Sequence, residues 1–293
     1  MSASRTKGSS VIDDTLKLLG LSVLSGAMVG GLILSFFAPR RNEDAVEVRE
    51  RKIVRNSIKP SDTGSLAIRE GFSMAEAKAH SDKAAKDAKA KNPEDVFKDL
   101  QRGNARFWMG CATRPEVDAF NRRSLIMQQF PSVVILGCSD SRVPIEIIFD
   151  QGLGDVFVIR VAGNTVDEST MASLEYAVEH LEVKVLVVLG HEGCGAVRAS
   201  MASDEDIQKH PPALAKVLGE LKKGLCVDEL CKIKDHRARD REAVVSNVRN
   251  QIGQLKNVDL FKNKIKDNKL IVTGAFYEIS SGIVDFMLKN FEE

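Results

Sequence analysis

Two short apolar runs constrain the fold of this chain more than any other feature. Residues 132–137 (SVVILG) and 183–190 (VKVLVVLG) have the length and the Val, Ile and Leu content of β-strands that are buried on both faces. Each run is followed by side chains that bind metals: Cys138 and Asp140 after the first, His191 and Cys194 after the second. If both strands are parallel members of one sheet, their carboxyl ends emerge at the edge where open α/β sheets place their sites.

Cys138, His191 and Cys194 form a ligand set that is typical of zinc. Two thiolates and one imidazole suit Zn²⁺, and three protein ligands leave a fourth position open, as in catalytic zinc sites. A single Cys or His at a strand end is more often an ordinary buried residue. The His-x-x-Cys spacing, together with a second thiol at the equivalent topological position, favours the metal site. The sequence therefore predicts bound Zn²⁺.

Apolar runs alternate with helical patterns over the rest of the chain. The runs at 133–136, 156–161, 185–189 and 270–272 predict strands, and the patterns at 171–180 and 240–260 predict helices. Asn92 followed by Pro93 predicts the start of another helix, because Asn is a common N-cap and Pro fits the first helical position. Such alternation indicates an α/β fold with a mainly parallel sheet flanked by helices.

Two motifs resemble the β-class carbonic anhydrases: residues 138–144 (CSDSRVP) and residues 190–197 (GHEGCGAV). Further similarity lies at 152–164, 174–178 and 274–282, so the resemblance covers about 93–291 and predicts a zinc-dependent carbonic anhydrase domain at 93–293. It implies a four-stranded parallel sheet with an added edge strand near Ile283. It also implies zinc-dependent, reversible hydration of carbon dioxide to bicarbonate and a proton, by a homodimer or a larger even assembly.

Asp140 and Arg142 are the predicted catalytic partners of the metal. Zinc lowers the pKa of a bound water, but two thiolate ligands make it a weaker Lewis acid than three imidazoles do. A carboxylate two residues beyond a ligand can orient that water, and a guanidinium can hold the carboxylate ionised. By resemblance, Asp140 can instead bind the metal as a fourth ligand in a closed state, which breaks its pair with Arg142.

The resemblance assigns roles to further positions. Gln129 takes the place of a substrate-orienting glutamine, which acts across a subunit interface where a partner completes the site; the alternative is an ordinary polar residue in the turn at 128–131. Some members have a regulatory bicarbonate pocket of Trp, Arg and Tyr. Arg160 and Tyr277 match two of these, but Ile135 occupies the Trp position and cannot donate the indole hydrogen bond. We therefore expect that pocket to be absent or weakened and the open state to be favoured.

Residues 1–38 predict a targeting or membrane-anchor segment. Residues 21–38 carry no charge and are about as long as the shortest single membrane span. The alternatives are a membrane anchor, a mitochondrial or chloroplast presequence, and a secretory signal peptide, which the poor cleavage site at 38–40 disfavours. More basic residues follow the apolar stretch than precede it, so an anchor would leave the enzyme domain on the cytoplasmic side.

Residues 39–92 predict a polar tether that is partly helical or disordered, because strong helix formers at 73–91 come without an apolar stripe.

The 42 basic and 41 acidic residues of the whole chain nearly balance, which gives nucleic-acid binding no support. The odd number of cysteines, without regular disulfide spacing, indicates reduced thiols in an intracellular compartment. Cys226, Cys231 and His236 have the flanks of ordinary helices, so we do not expect a second metal site there.

Two alternative functions are left open by the sequence. One is hydrolysis of carbonyl sulfide or carbon disulfide on the same fold, because the metal ligands alone do not fix the substrate. The other is a membrane-tethered zinc scaffold without turnover. The presence of both Asp140 and Arg142 argues against the scaffold, since a structural zinc site needs neither side chain.

Overall fold

The computed structural model describes residues 74–113, 122, 124–126 and 128–289 of the 293-residue chain. These residues lie within one compact unit, Glu70–Glu293. The predicted anchor at 1–38, and the part of the predicted tether before residue 74, lie outside the described residues. Within the described ranges, the helices are all too short or too polar to cross a membrane.

Along the described chain, helices and strands alternate from the first strand to the third, and six helices then lie between the third strand and the fourth. The helices are α1 (Met74–Ala90), α2 (Pro93–Trp108), α3 (Ile145–Ile148), α4 (Glu168–Glu179), α5 (Gly195–Ser200), α6 (Asp204–Gln208), α7 (Pro212–Lys223), α8 (Val227–Lys232), α9 (His236–Leu255) and α10 (Asp259–Lys266). The strands are β1 (Val133–Cys138), β2 (Val156–Val161), β3 (Val185–His191), β4 (Ile271–Tyr277) and β5 (Val284–Lys289), and a short 3-10 turn, Ala162–Asn164, follows β2.

The five strands form one sheet in the order β2-β1-β3-β4-β5. The first four are parallel, and β5 pairs antiparallel with β4 at the edge. The prediction of a four-stranded parallel sheet with an added edge strand is therefore confirmed. Val133 of β1 lies beside Val156 of β2 and Val185 of β3, so the three strands start at one level and their carboxyl ends meet at one edge.

The core has two layers, one on each face of the sheet. Because successive side chains of a strand point to opposite faces, Val134 and Leu136 of β1 pack into one cluster and Val133 and Ile135 into the other. The first cluster is closed by α4, α9 and α10, and the second by α2 and α3. All six residues of β1 are buried, as expected for a strand covered on both faces.

Helix boundaries follow local capping. The predicted start of α2 is confirmed, with the Asn92 side chain accepting a hydrogen bond from the Glu94 N–H at 2.8 Å. The predicted helix at 240–260 is wrong at both ends, because Asp235 caps the helix earlier by accepting from the Ala238 N–H at 2.7 Å. The helix then ends at Leu255, since Val258 is extended before α10 begins.

Candidate metal centre

Three ligand side chains meet at the carboxyl edge of the sheet. Cys138 is the last residue of β1 and His191 the last residue of β3, its neighbour in the sheet. Cys194 follows three residues later, at the N-cap of α5. All three side chains are buried, and their ligand atoms lie within 4.8 Å of one another. The sequence prediction that these residues converge is thus matched by the geometry.

The spacing and the hydrogen bonding of these ligands fit zinc. The two sulfurs lie 4.0 Å apart, and a tetrahedral zinc with ordinary Zn–S bonds would hold them about 3.8 Å apart. The Nδ1–H of His191 donates to the Glu192 carbonyl at 3.0 Å, which leaves Nε2 with its lone pair free. That Nε2 is buried and has no hydrogen-bond partner in the described part of the chain. A buried acceptor without a partner is costly, and a bound metal removes that cost.

The two thiols influence each other strongly. The pKa of Cys138 is lowered to about 4, chiefly because the Cys194 thiol donates a hydrogen bond to it, with burial acting in the opposite direction. The same hydrogen bond and burial raise the pKa of Cys194. The close contact between the two sulfurs thus favours a thiolate at Cys138. A dication between the sulfurs would stabilise both thiolates, which is the charge state that zinc requires.

Asp140 lies next to the metal ligands and is held by Arg142. The Arg142 Nε donates to Asp140 Oδ1 at 2.9 Å and Nη2 donates to Oδ2 at 2.8 Å, a two-pronged ion pair. The hydrogen bond from the Arg142 side chain holds the pKa of the Asp140 carboxyl well below its usual range. Arg142 also donates to the Gly193 carbonyl at 3.2 Å, which links this pair to the loop before Cys194. In the structure Asp140 is thus paired with Arg142, and whether the open state is favoured stays a prediction.

Backbone contacts fix the loop that follows β1. Arg160 of β2 donates to the Cys138 carbonyl at 3.0 Å and to the Asp140 carbonyl at 2.6 Å. The Gly163 N–H points at the Cys138 sulfur, with 3.4 Å between N and Sγ. Sequence reasoning missed Gly163, because its role depends on a backbone N–H, which no residue type reveals.

The sulfurs lie in an apolar environment. Cys138 and Cys194 belong to a buried cluster with residues of α5, α8, α9 and β4: Val197, Leu230, Ala243, Val244, Val245 and Phe276. Apolar packing of this kind keeps water away from the thiolates and strengthens the electrostatic interactions around them.

Comparison with known proteins assigns the chain to a family. A family model described as carbonic anhydrase matches residues 133–284, more than half of the chain. Carbonic anhydrase 2 of Mycobacterium tuberculosis is 50% identical to this chain over 115 residues. One of two tetrameric β-carbonic anhydrases from Sordaria macrospora superimposes with a TM-score of 0.55 at 30% identity, covering 67% of this chain and 99% of that one.

The chain belongs to the β-carbonic anhydrase family. The β-carbonic anhydrase CafA of Aspergillus fumigatus is similar too, with a TM-score of 0.51 at 29% identity over 67% of this chain and 92% of that one. The match to the Mycobacterium tuberculosis protein covers 39% of this chain and 56% of that protein, so the chain spans about half the length of the curated relative. Zinc is the metal that β-carbonic anhydrases use, in agreement with the ligand set of Cys138, His191 and Cys194.

The positions matched to a β-carbonic anhydrase regulatory pocket have other contacts here. Ile135 is fully buried in the core of the sheet. Tyr277 is buried at the end of β4, and this burial raises its pKa. The Arg160 guanidinium is bonded to the two backbone carbonyls described above. The absence of inhibition by bicarbonate through this pocket stays a prediction.

Gln129 is far from the metal ligands of its own chain. It is exposed and precedes the amino end of β1, whereas Cys138 ends that strand. The length of β1 alone, five residue rises from Val133 to Cys138, separates its two ends by roughly 17 Å. Gln129 instead lines a recess of about 690 Å³ beside Tyr176 and His180 of the α4 region. The structure therefore does not bring Gln129 to the other predicted site residues.

The sequence offered one other group of metal-binding residue types. Cys226 and Cys231 are exposed at either end of α8, and His236 is exposed at the start of α9. Among the described residues, none of the three belongs to a cluster that could hold a metal ion. That they form no second site stays a prediction.

Proposed function

We propose that this chain is a zinc-dependent carbonic anhydrase, which interconverts carbon dioxide with bicarbonate and a proton. The observation on which this proposal mainly depends is the Asp140–Arg142 ion pair beside Cys138, His191 and Cys194. Zinc supplies hydroxide at neutral pH, because coordination lowers the pKa of water. The protein must hold the metal, orient the nucleophile, and let the proton leave to solvent or buffer.

Asp140 has the geometry of an orienting acceptor. The pair with Arg142 keeps its carboxylate ionised, and an ionised carboxylate has about four lone-pair sites on two oxygens. Arg142 side-chain donors use one site on each oxygen and the Arg142 backbone N–H uses another on Oδ1. One lone pair, on Oδ2, remains, and it could accept a hydrogen bond from a water beside the metal. Arg142 fixes the direction in which it points.

The alternatives need fewer of these features. A structural zinc site requires metal ligands and no charged pair, so the ion pair of Asp140 and Arg142, just after Cys138 in the sequence, argues against a scaffold. Hydrolysis of carbonyl sulfide or carbon disulfide requires the same metal and the same carboxylate. No contact in the described site favours these sulfur compounds over carbon dioxide.

Replacing Asp140 separates these functions. Asp140→Asn keeps the size of the side chain and all three ligands, so we expect about one zinc per chain and a loss of most turnover, about 100-fold or more. The measurement is carbon dioxide hydration by stopped flow, with metal content determined on the same sample. Asp99→Asn is the matched control, because it breaks an exposed Asp–Arg pair on α2 (3.0 Å to Arg102). It should leave turnover unchanged.

Each other outcome contradicts part of the proposal. Full turnover in Asp140→Asn would remove this carboxylate from the mechanism. A zinc-loaded native chain that hydrolyses carbon disulfide but does not hydrate carbon dioxide would favour the sulfur-compound alternative. Zinc binding without either activity would support the scaffold.

We further propose that Gln129 acts at the metal centre of a second copy of this chain. Its place at the amino edge of the sheet, away from Cys138, argues against a direct role in its own subunit. Its amide could donate to an oxygen of bicarbonate at a partner's zinc. The tetrameric Sordaria macrospora relative supports an even homo-oligomer, and a two-fold interface would give each site one such glutamine.

Mixing two inactive variants tests this arrangement. Gln129→Ala has intact ligands and Cys194→Ser has an intact Gln129, so a mixed dimer has one complete site. Random assembly should restore about a quarter of the native sites. Each variant alone should be far less active than the mixture. If the mixture is no more active than the sum of its components, Gln129 does not act across the interface.

For the cellular location we propose membrane association through residues 21–38, with the enzyme domain on the cytoplasmic side. The support is the sequence alone, through the uncharged stretch and the basic residues after it. The full chain should stay in the membrane pellet after alkaline carbonate extraction, and a chain without residues 1–38 should not. Processing of the full chain to a shorter soluble form would favour the organellar alternative.

A further inference from the structure

We propose that Asn247 is a positioning residue of the metal centre, which acts through Gly163 on the sulfur of Cys138. The inference deepens the proposed function and rests on it, because it assigns a role in zinc binding to a residue that touches neither metal nor substrate. The path has two hydrogen bonds, one from the Asn247 side chain to Gly163 and one from Gly163 to the sulfur.

Gly163 is held in a conformation that suits glycine. It lies in the 3-10 turn after β2 with φ of 69°, in the left-handed region that other residues adopt at a cost. A Cβ atom at this position would lie 2.8 Å from Leu221 Cδ1, which is too close. The Gly163 backbone therefore packs directly against Leu221 of α7. Its N–H donates to the Cys138 sulfur, with 3.4 Å between N and Sγ.

Asn247 fixes the other side of Gly163. It is fully buried on α9 and its Nδ2 donates to the Gly163 carbonyl at 2.9 Å. Gln251, one turn later and also fully buried, donates to Asn247 Oδ1 at 2.9 Å and accepts from the Val166 N–H at 2.7 Å. Two amides of one helix thus bind the loop at residues 163 and 166.

Buried amides facing a loop are costly unless they are fully hydrogen-bonded. Here the carboxamide groups of Asn247 and Gln251 are bonded to each other and to the backbone, so together they hold the loop at one distance from the helix. Because the same helix packs against β3, the position of the Gly163 N–H is set relative to both strands that end in ligands.

The contact has a chemical consequence for a thiolate ligand. An N–H that donates to sulfur draws electron density from it, which weakens its donation and leaves more positive charge on the metal. A zinc site with two thiolates needs such a donor, because the electron density of the thiolates otherwise reduces the Lewis acidity of the metal. Asn247 therefore favours catalysis by holding a backbone donor on the sulfur, without itself contacting the reacting atoms.

Cobalt substitution of the full chain tests the inference. Asn247→Leu and Asn247→Ala both remove the donor to Gly163. Leu fills the space of the amide with a larger apolar side chain, and Ala leaves that space empty. In the Co²⁺-loaded protein we expect the thiolate-to-cobalt charge-transfer band to move to longer wavelength, because the sulfur gains electron density. Zinc affinity, measured by competition with a chromophoric chelator, should fall about 10-fold or more, because the loop beside the sulfur is no longer fixed and this loss outweighs the stronger donation of the sulfur.

Ile252→Ala on the same helix is the matched control, because it removes a buried side chain from the sheet-facing core and no hydrogen bond to the loop. It should lower the Tm while the band and the zinc affinity stay native. The inference is overturned if the Asn247 variants lower the Tm but leave both native. If Asn247→Leu does not fold, Asn247→Ala decides. Neither readout involves carbon dioxide, so a native protein without hydration activity would refute the proposed function and leave this test valid.

Discussion

At the residue scale, backbone carbonyls and amides set the state of the side chains of the metal centre. The Glu192 carbonyl selects the His191 tautomer that has a free Nε2. The Gly193 carbonyl holds Arg142, and Arg142 holds Asp140 ionised. These partners hold the side chains in positions that suit a metal ion.

The Asp140–Arg142 pair predicts a pH dependence of stability. The pKa of Asp140 is lower in the folded chain than in the unfolded one, where it is about 3.9. The stabilisation is therefore complete above about pH 4 and is lost as the pH falls towards the folded-state value. The difference in Tm between the native chain and Asp140→Asn should stay constant from about pH 8 to pH 5 and shrink below about pH 4.

The size of this difference should be small, below about 1 kcal/mol, because the Arg142 side chain is 52% exposed and solvent screens the pair. Loss of metal in acid affects both proteins alike, since their ligands are the same. A Tm difference that disappears between pH 7 and pH 5 would show that the carboxyl titrates in its ordinary range and would contradict the assigned ion pair.

At the element scale, the ends of the strands and the packing of α9 place the ligands. Cys138 and His191 terminate adjacent parallel strands, which brings them together without any long loop. Gly190, just before His191, lets α9 approach β3 closely. A Cβ at this position would lie 2.6 Å from Val244 Cγ1 and 2.8 Å from Val248 Cγ2. The helix and the strand are therefore in contact at the residue that precedes a metal ligand.

Gly190→Ala should destabilise the chain by about 1–3 kcal/mol, because the added methyl forces α9 away from the sheet. The measurement is the free energy of unfolding from a denaturant titration. Gly253→Ala on the same helix is the control, since a Cβ there has no neighbour within 4 Å, and it should stabilise the helix by about 0.5–1 kcal/mol. Equal stability of the native chain and Gly190→Ala would contradict the described packing.

The same elements show what the sequence could predict. The strands and their terminal ligands follow from local apolar patterns, and the start of α2 follows from Asn92 and Pro93. The start of α9 was missed because Asp235 lies before the apolar pattern and its cap depends on the turn that precedes the helix. The roles of Gly163 and Asn247 depend on contacts between residues far apart in sequence, which local patterns do not contain.

At the scale of the whole molecule, the sheet separates two groups of predicted site residues. The ligands, Asp140 and Arg142 lie at its carboxyl edge, and Gln129 lies at its amino edge. The direction of β1 alone implies this separation, since the strand lies between Gln129 and Cys138 in the sequence. Under the proposed scheme, a complete site then combines the carboxyl edge of one subunit with a segment of another.

The most direct test of the central claim is zinc content and carbon dioxide hydration measured together on the native chain, before and after removal of the metal. We expect one zinc per chain, loss of hydration in proportion to the zinc removed by a chelator, and recovery when zinc is returned. Cys194→Ser should fold but lose zinc and hydration together. A folded native chain that hydrates carbon dioxide without zinc, or a Cys194→Ser variant with full zinc and full turnover, would contradict the account.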